Sequence, residues 1–253
     1  MGGSHRHLLV HGEGPLHRVA PQCKLAATVL FSFAVVATPK EQFWAFGVQA
    51  ALVVLAAVIG RVPLLGLARH LVIEVPFLLF AVLLPIVGRN PRVDVGGLSL
   101  SEPGLWAAWN IVVKGTIGVA ATVVMASTTS IPHILHGLER LRVPRQLVAI
   151  TAFMIRYGDV IGDELRRMRI ARESRGASAS WSGHARAVAT SAGALFVRSY
   201  ERGERVYLAM ASRGYVGTMP VRTSRSTTPA WFACLLWPLA AAVVAASAWV
   251  IQG

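Results

Sequence analysis

Charge is scarce in this sequence. Charged residues occupy 15% of its 253 positions and only 12 of them are acidic, whereas a soluble domain carries charge at about a quarter of its positions. A deficit of that size comes from long uncharged runs, which excludes an ordinary soluble enzyme and makes the class a polytopic membrane protein. Cysteine is nearly missing as well. Cys23 and Cys234 stand at opposite ends of the chain without metal-site spacing, so no disulfide framework or zinc module is expected, only two unpaired thiols. No G-x-x-x-x-G-K-[ST] and no H-E-x-x-H occurs, so the chain has neither its own P-loop for ATP nor a zincin centre. With its acids scattered among arginines, it is expected to hold no catalytic residue, no metal site and no cofactor of its own. The polar, His-rich first twenty-four residues lack the order of a secretory signal.

Long apolar runs are what the sequence has in abundance. Hydrophobic residues reach 54% and mean hydropathy is +0.54. Residues 42–60, 71–88, 104–127 and 229–251 are each about the length of one helical pass, and 25–38 supplies a shorter fifth. Pro39, Lys40 and Glu41 break the first run from the second as a hairpin tip. The expected fold is therefore all-α: about five transmembrane helices, with a pair of long cytoplasmic helices inserted before the last. Three regions follow, 1–127 with the N-terminal tail and four spans, 128–228 as the inserted region, and 229–253 as the last span.

The net charge of +13 tests this topology. With the N-terminus inside, residues 1–24 and 61–70 each carry a net +2, and 128–228 hold sixteen arginines against seven acids. The outer loops cancel, Lys40 with Glu41 and Arg89 plus Arg92 with Asp94 plus Glu102. All of the excess falls on one face, the direction that the positive-inside rule favours. Glu74 and Lys114 sit within apolar runs. Ionisable groups there are costly, and the two are a candidate intramembrane pair, the other reading being that Glu74 reaches the inner interface.

In the inserted region, Ser130 and Pro132 open a short amphipathic segment, and Pro144 starts a longer helix. Leu147, Ile150, Met154, Tyr157, Ile161, Leu165 and Met168 recur at steps of three and four, and Gly176 ends the helix. "ASASWSG" (177–183) reads as a linker. A second helix runs from about His184 through Val188, Ala192, Leu195, Val206 and Met210, with Gly214 after it. Each helix ends in the same pattern, A-x-x-S-R-G: Ala171, Ser174, Arg175 and Gly176, then Ala209, Ser212, Arg213 and Gly214. A helix C-cap explains Gly and welcomes a cation, but it does not require Ser, Arg and Ala at fixed spacing. Two copies point to something outside the chain that reads both helix ends.

Two Arg-Gly motifs ending two long helices in a basic polytopic chain of this size resemble the transmembrane T component (the EcfT/CbiQ family) of energy-coupling-factor importers. The resemblance extends over "PLHRVAPQCKL" (15–25), "LRVPRQLVAITAFMIRY" (141–157), "RRMRIARESRGA" (166–177) and "ERVYLAMASRGY" (204–215). The family's motif is usually Ala-Arg-Gly, and both copies here have Ser in place of that Ala. The acidic residue often found before the N-terminal Lys is replaced by Pro21-Gln22-Cys23. The family implies a non-catalytic membrane scaffold in the cell membrane. It would join two cytoplasmic ABC ATPases, which bind the ATP and Mg, to a membrane substrate-binding S component. Arg175 and Arg213 would each dock in one ATPase, and Gly176 and Gly214 would permit close approach. "AMASRGY" looks most like the cobalt-type subgroup.

Other readings explain less. A stand-alone metal transporter is suggested by His5, His7, His11 and His17, but the spans contain no His apart from the border residue His70. A membrane-embedded hydrolase lacks a recognisable constellation. Nucleic acid is not an expected partner, because few aromatics interleave with the arginines and membrane topology already accounts for the charge.

Overall fold

The computed structural model describes residues 19–63, 66, 71–88, 91–95, 98–176, 181–215 and 228–252; the N-terminal histidines lie outside this set. Helices α1 (Pro21–Ala37), α2 (Phe43–Ile59), α3 (Val75–Val87), α4 (Glu102–Ser127), α5 (Ile131–Arg140), α6 (Arg145–Ser174), α7 (Trp181–Ala211) and α8 (Thr228–Gln252) follow in order. A 3-10 turn, Leu71–Glu74, leads into α3. Strands β1 (Arg92–Val95) and β2 (Leu98–Ser101) pair antiparallel between α3 and α4, Arg92 opposite Ser101 and Val95 opposite Leu98. The described residues divide into two compact units, one within 142–215 and the other within 19–141 and 228–252.

The larger unit gathers the apolar helices. α4 and the Cys234–Ile251 part of α8 are long and apolar enough to cross a membrane, and α1, α2 and α3 are shorter apolar helices. At about 1.5 Å per residue, the 17-residue α1 rises about 26 Å, close to the hydrocarbon thickness of about 30 Å. α1 begins at Pro21, ahead of the apolar run that starts at Leu25, so Gln22, Cys23 and Lys24 are buried within its first turns. Large side chains turn outward, with Phe77, Leu79 and Val82 of α3 64%, 74% and 66% exposed. Small ones turn inward: Ala34, Ala57, Ala121, Ala241 and Ala248 are buried. This is how helices pack in lipid, where close backbone approach replaces hydrophobic collapse as the source of association. Phe31 of α1 and Trp237 of α8 fill the centre as a parallel stack with centroids 4.4 Å apart, and the Trp237 indole N–H donates to Leu52 O at 3.3 Å.

Contacts at the helix ends fix the direction of each pass. The Trp249 indole N–H donates to Ala37 O at 2.8 Å, which joins the ends of α8 and α1. Phe43 at the start of α2 meets Trp106 and Trp109 at the start of α4, with centroids 5.9 and 5.2 Å apart. Lys24 Nζ, at the start of α1, donates to Thr128 O (3.0 Å) and Thr129 Oγ1 (3.2 Å), just past the end of α4. The ends of α1 and α8 and the starts of α2 and α4 therefore share one side, as five alternating passes require.

The smaller unit is the helix pair α6 and α7. α6 has 30 residues and α7 has 31. The expected linker at 177–183 is shorter than the sequence suggested: residues 177–180 lie outside the described set, and α7 already begins at Trp181 rather than near His184. Glu201, Arg202, Gly203, Glu204 and Arg205, where the apolar stripe weakens, remain within α7 without a break.

Candidate coupling site

Glu164 of α6 accepts from Arg198 Nη1 at 3.0 Å and from Arg202 Nη2 at 3.3 Å, both on α7. Its side chain is 13% exposed. The hydrogen bond from Arg198 is the first cause, with the charge of Arg202 beside it, that holds this carboxyl below its ordinary value of 4.5. On one side of this clamp, Phe153, Met154, Tyr157 and Ile161 of α6 face Ser199, Gly203 and Val206 of α7 across a small cleft. On the other, Arg167 and Arg172 of α6 and Arg175 just past its end face Arg186 and Arg198 of α7 across a wider one of about 800 Å³. The early residues of α6 thus lie opposite the late residues of α7, and the pair is antiparallel. Arg172 Nε is buried in this arrangement without a hydrogen-bond partner. The exposed pairs Arg166–Asp163 and Arg169–Glu173, both 2.8 Å, run along α6 alone and contribute little as surface ion pairs.

Both copies of the repeat fold in the same way. Ser174 Oγ donates to Ala171 O at 3.1 Å, and Ser212 Oγ donates to Ala209 O at 3.1 Å. The Arg175 amide donates to Arg172 O at 3.2 Å and the Arg213 amide to Met210 O at 3.0 Å. Gly176 and Gly214 take φ of 74° and 81°, the left-handed conformation in which glycine closes a helix. The C-cap reading of Gly is therefore correct at both ends, and the Ser–carbonyl bond gives the Ser its local role. It leaves the arginines unexplained: Arg175 and Arg213 are exposed, and no side-chain bond joins either to another described residue. Because α6 and α7 are antiparallel, the two arginines lie at opposite ends of the pair, about 45 Å apart for helices of this length.

Glu74 and Lys114, the candidate intramembrane pair, have separate partners. Glu74 is buried; its Oε2 accepts from Thr116 Oγ1 at 2.9 Å, while Oε1 has no hydrogen-bond partner and overlies Gly115, where a Cβ would approach it to 3.3 Å. Lys114 Nζ donates to Val36 O at 2.7 Å and stands 5.9 Å from the Phe46 ring centroid. Sequence reasoning counted Lys24 as a charge and gave it no partner. Its signal was a lysine directly before an apolar run, followed by two threonines just after another.

A family model described as "Cobalt transport protein", CbiQ, matches residues 12–224. Among curated proteins, the chain is 24% identical over 222 residues to the energy-coupling factor transporter transmembrane protein EcfT of Listeria innocua, covering 82% of this chain and 83% of that one. It is 28% identical over 187 residues to the cobalt transport protein CbiQ of Rhodobacter capsulatus, covering 74% and 75%. The EcfT of Brevibacillus brevis is 27% identical over 222 residues, covering 82% and 83%.

Proposed function

From the premise that the chain belongs to the CbiQ cobalt transport protein family, whose members are transporter membrane components, we propose that it is the T component of an energy-coupling-factor importer. In this reading it performs no chemistry. Two cytoplasmic ABC ATPases bind ATP and Mg, a membrane S component captures the cargo, and this chain passes the movement of the first to the second. The N-terminus and the α6–α7 pair lie in the cytoplasm, as the distribution of arginines favours.

The observation that carries the proposal is the placement of the repeat. Two identically built helix ends, each presenting an unengaged arginine, stand at opposite ends of one antiparallel pair and suit two similar partners. Arginine offers five donors in a planar fork, suited to carboxylates or carbonyls in a groove. The cleft lined by Arg167, Arg172 and Arg186 extends the basic surface at the Arg175 end. For cargo, the family's description and the name of the Rhodobacter relative favour cobalt.

The test is co-purification and uptake in the assembled complex. Removing one side of a buried charged contact costs about 2–5 kcal/mol, or at least ~30-fold in affinity. Arg175→Ala or Arg213→Ala should weaken retention of one ATPase by that order, and the double variant should lose both or leave uptake uncoupled from ATP. Lysine at either site should rescue poorly, since it keeps the charge and loses the fork. Normal uptake and normal co-purification by the double variant would reduce the repeat to a pair of caps.

A further inference from the structure

Lys24 is a buried cation without a counter-charge. It lies near the start of α1, 8% exposed, and among the described residues no ion pair joins it to a carboxylate. Its bonds to Thr128 O and Thr129 Oγ1 use two of the three donors of an ammonium and neutralise none of its charge. The first turn of α1 holds no acid. A buried charge left in that state is costly, and the positive end of a helix adds to the cost. Lys24 also lines a cavity of about 280 Å³, near the lower size of small-molecule sites, about 300 Å³. Its walls come from the first halves of α1 and α8 and the second halves of α2 and α4, so it lies wholly in the half of the bundle nearer the N-terminus. The lining is ordered by polarity: Lys24 and Thr128 stand at the helix ends, whereas Leu52 and Trp237 lie farther in, and nearly all of the remaining wall is apolar. Leu55 and Ile59 line the cavity and are also exposed, so it opens along α2.

We propose that this cavity is a binding site for one anionic phospholipid of the inner leaflet, with an acyl chain among Leu52, Val124 and Trp237 and the phosphate against Lys24. Apolar cavities stay dry and take apolar ligands, which suits a hydrocarbon chain entering from the lipid along α2. A phosphodiester oxygen accepts the third donor of Lys24 and supplies the missing negative charge without displacing Thr128 or Thr129. The cytoplasmic leaflet is the one whose anionic lipids attract basic residues. A zwitterionic headgroup would bring its own ammonium beside Lys24 and is disfavoured. The bound lipid would brace α1, α2, α4 and α8 at one end of the bundle. The site needs neither an ATPase nor an S component, and only the choice of leaflet rests on the inward N-terminus proposed above.

The test uses the full-length chain in phosphatidylcholine vesicles that contain a trace of phosphatidylglycerol with a diazirine in its acyl chain. After irradiation and proteolysis, adducts should concentrate at Val124, Met125 and Trp237, which line the cavity, over the exposed Phe77 and Leu79 of α3. Unlabelled phosphatidylglycerol should compete these adducts away, and inorganic phosphate and further phosphatidylcholine should not. Lys24→Met should lower their yield about fivefold or more, the effect of one basic residue at an anionic leaflet, with labelling of α3 unchanged. Ala56→Phe fills the cavity, leaves the bonds of Lys24 in place and should abolish the same adducts. Should Lys24→Met fail to fold, the wild-type map and Ala56→Phe decide alone. Adducts spread evenly over the apolar helices, equal competition by phosphatidylcholine, or full yield at Val124 and Trp237 in either variant would overturn the proposal.

Discussion

Gly104 and Gly214 would both resist alanine, for unrelated reasons. At Gly104 an added Cβ would meet Leu84 O at 2.6 Å and Pro85 Cα at 2.8 Å; those are backbone atoms of α3 and cannot rotate aside, so α3 and α4 would have to part. At Gly214 nothing lies within 4 Å of the added carbon, and the penalty is only that of a left-handed φ of 81°, about 1–2 kcal/mol. Gly104→Ala should therefore lower the thermal midpoint of the detergent-solubilised chain by overpacking, which costs about 1–3 kcal/mol. Gly214→Ala should leave that midpoint nearly unchanged and increase amide exchange at the end of α7. Lys24 presents a third case. Lys24→Met keeps the length of the side chain but removes two donated bonds that tie α1 to the segment after α4. A lost hydrogen bond from a charged group costs about 1.5–3 kcal/mol, and the change should appear in the same melting experiment.

At the scale of elements, Glu164 is the main polar link between α6 and α7. Its carboxyl is held below the ordinary value, so the link is fully present above 4.5 and is lost as pH falls through the lower folded value. Amide protection in α6 and α7 should fall on acidification below that point, and Glu164→Gln should show the weaker protection at every pH and abolish its acid dependence. Neither helix needs Glu164 in order to form. Leu147, Ile150, Met154 and their successors mark α6 by period alone, and for that reason the helix pair and its caps were legible in the sequence. The pairing of Glu164 with Arg198 and Arg202 was not, because seven acids among sixteen arginines offer many equivalent partners. The β1–β2 hairpin was missed for a similar reason. Two four-residue strands carry too short a pattern to stand out beside charges that made the segment read as a loop, although the Gly96-Gly97 pair between them is a strong hairpin-turn signal.

Over the whole molecule, apolar length and arginine placement reveal the passes because the bilayer imposes both from outside the chain. Contacts between distant segments carry no such external signature; Phe31 against Trp237, and Lys24 beside Thr128, emerge only once the helices have packed. The direction of the passes can be tested with reporters. Trp249 binding Ala37 and Lys24 binding Thr128 make the number of crossings odd, so the two ends of the chain should face opposite sides. The arginine excess in 128–228 then selects which side is inner. A reporter fused after Gly253 should be active only outside the cytoplasm, and one inserted at 177–180 only inside it. Replacing Arg61 and Arg69 by Glu should weaken this orientation without reversing it, because the later arginines still oppose translocation of the α6–α7 region. Cytoplasmic activity from the C-terminal fusion would make the number of crossings even, and would require α1 to lie along the membrane instead of through it.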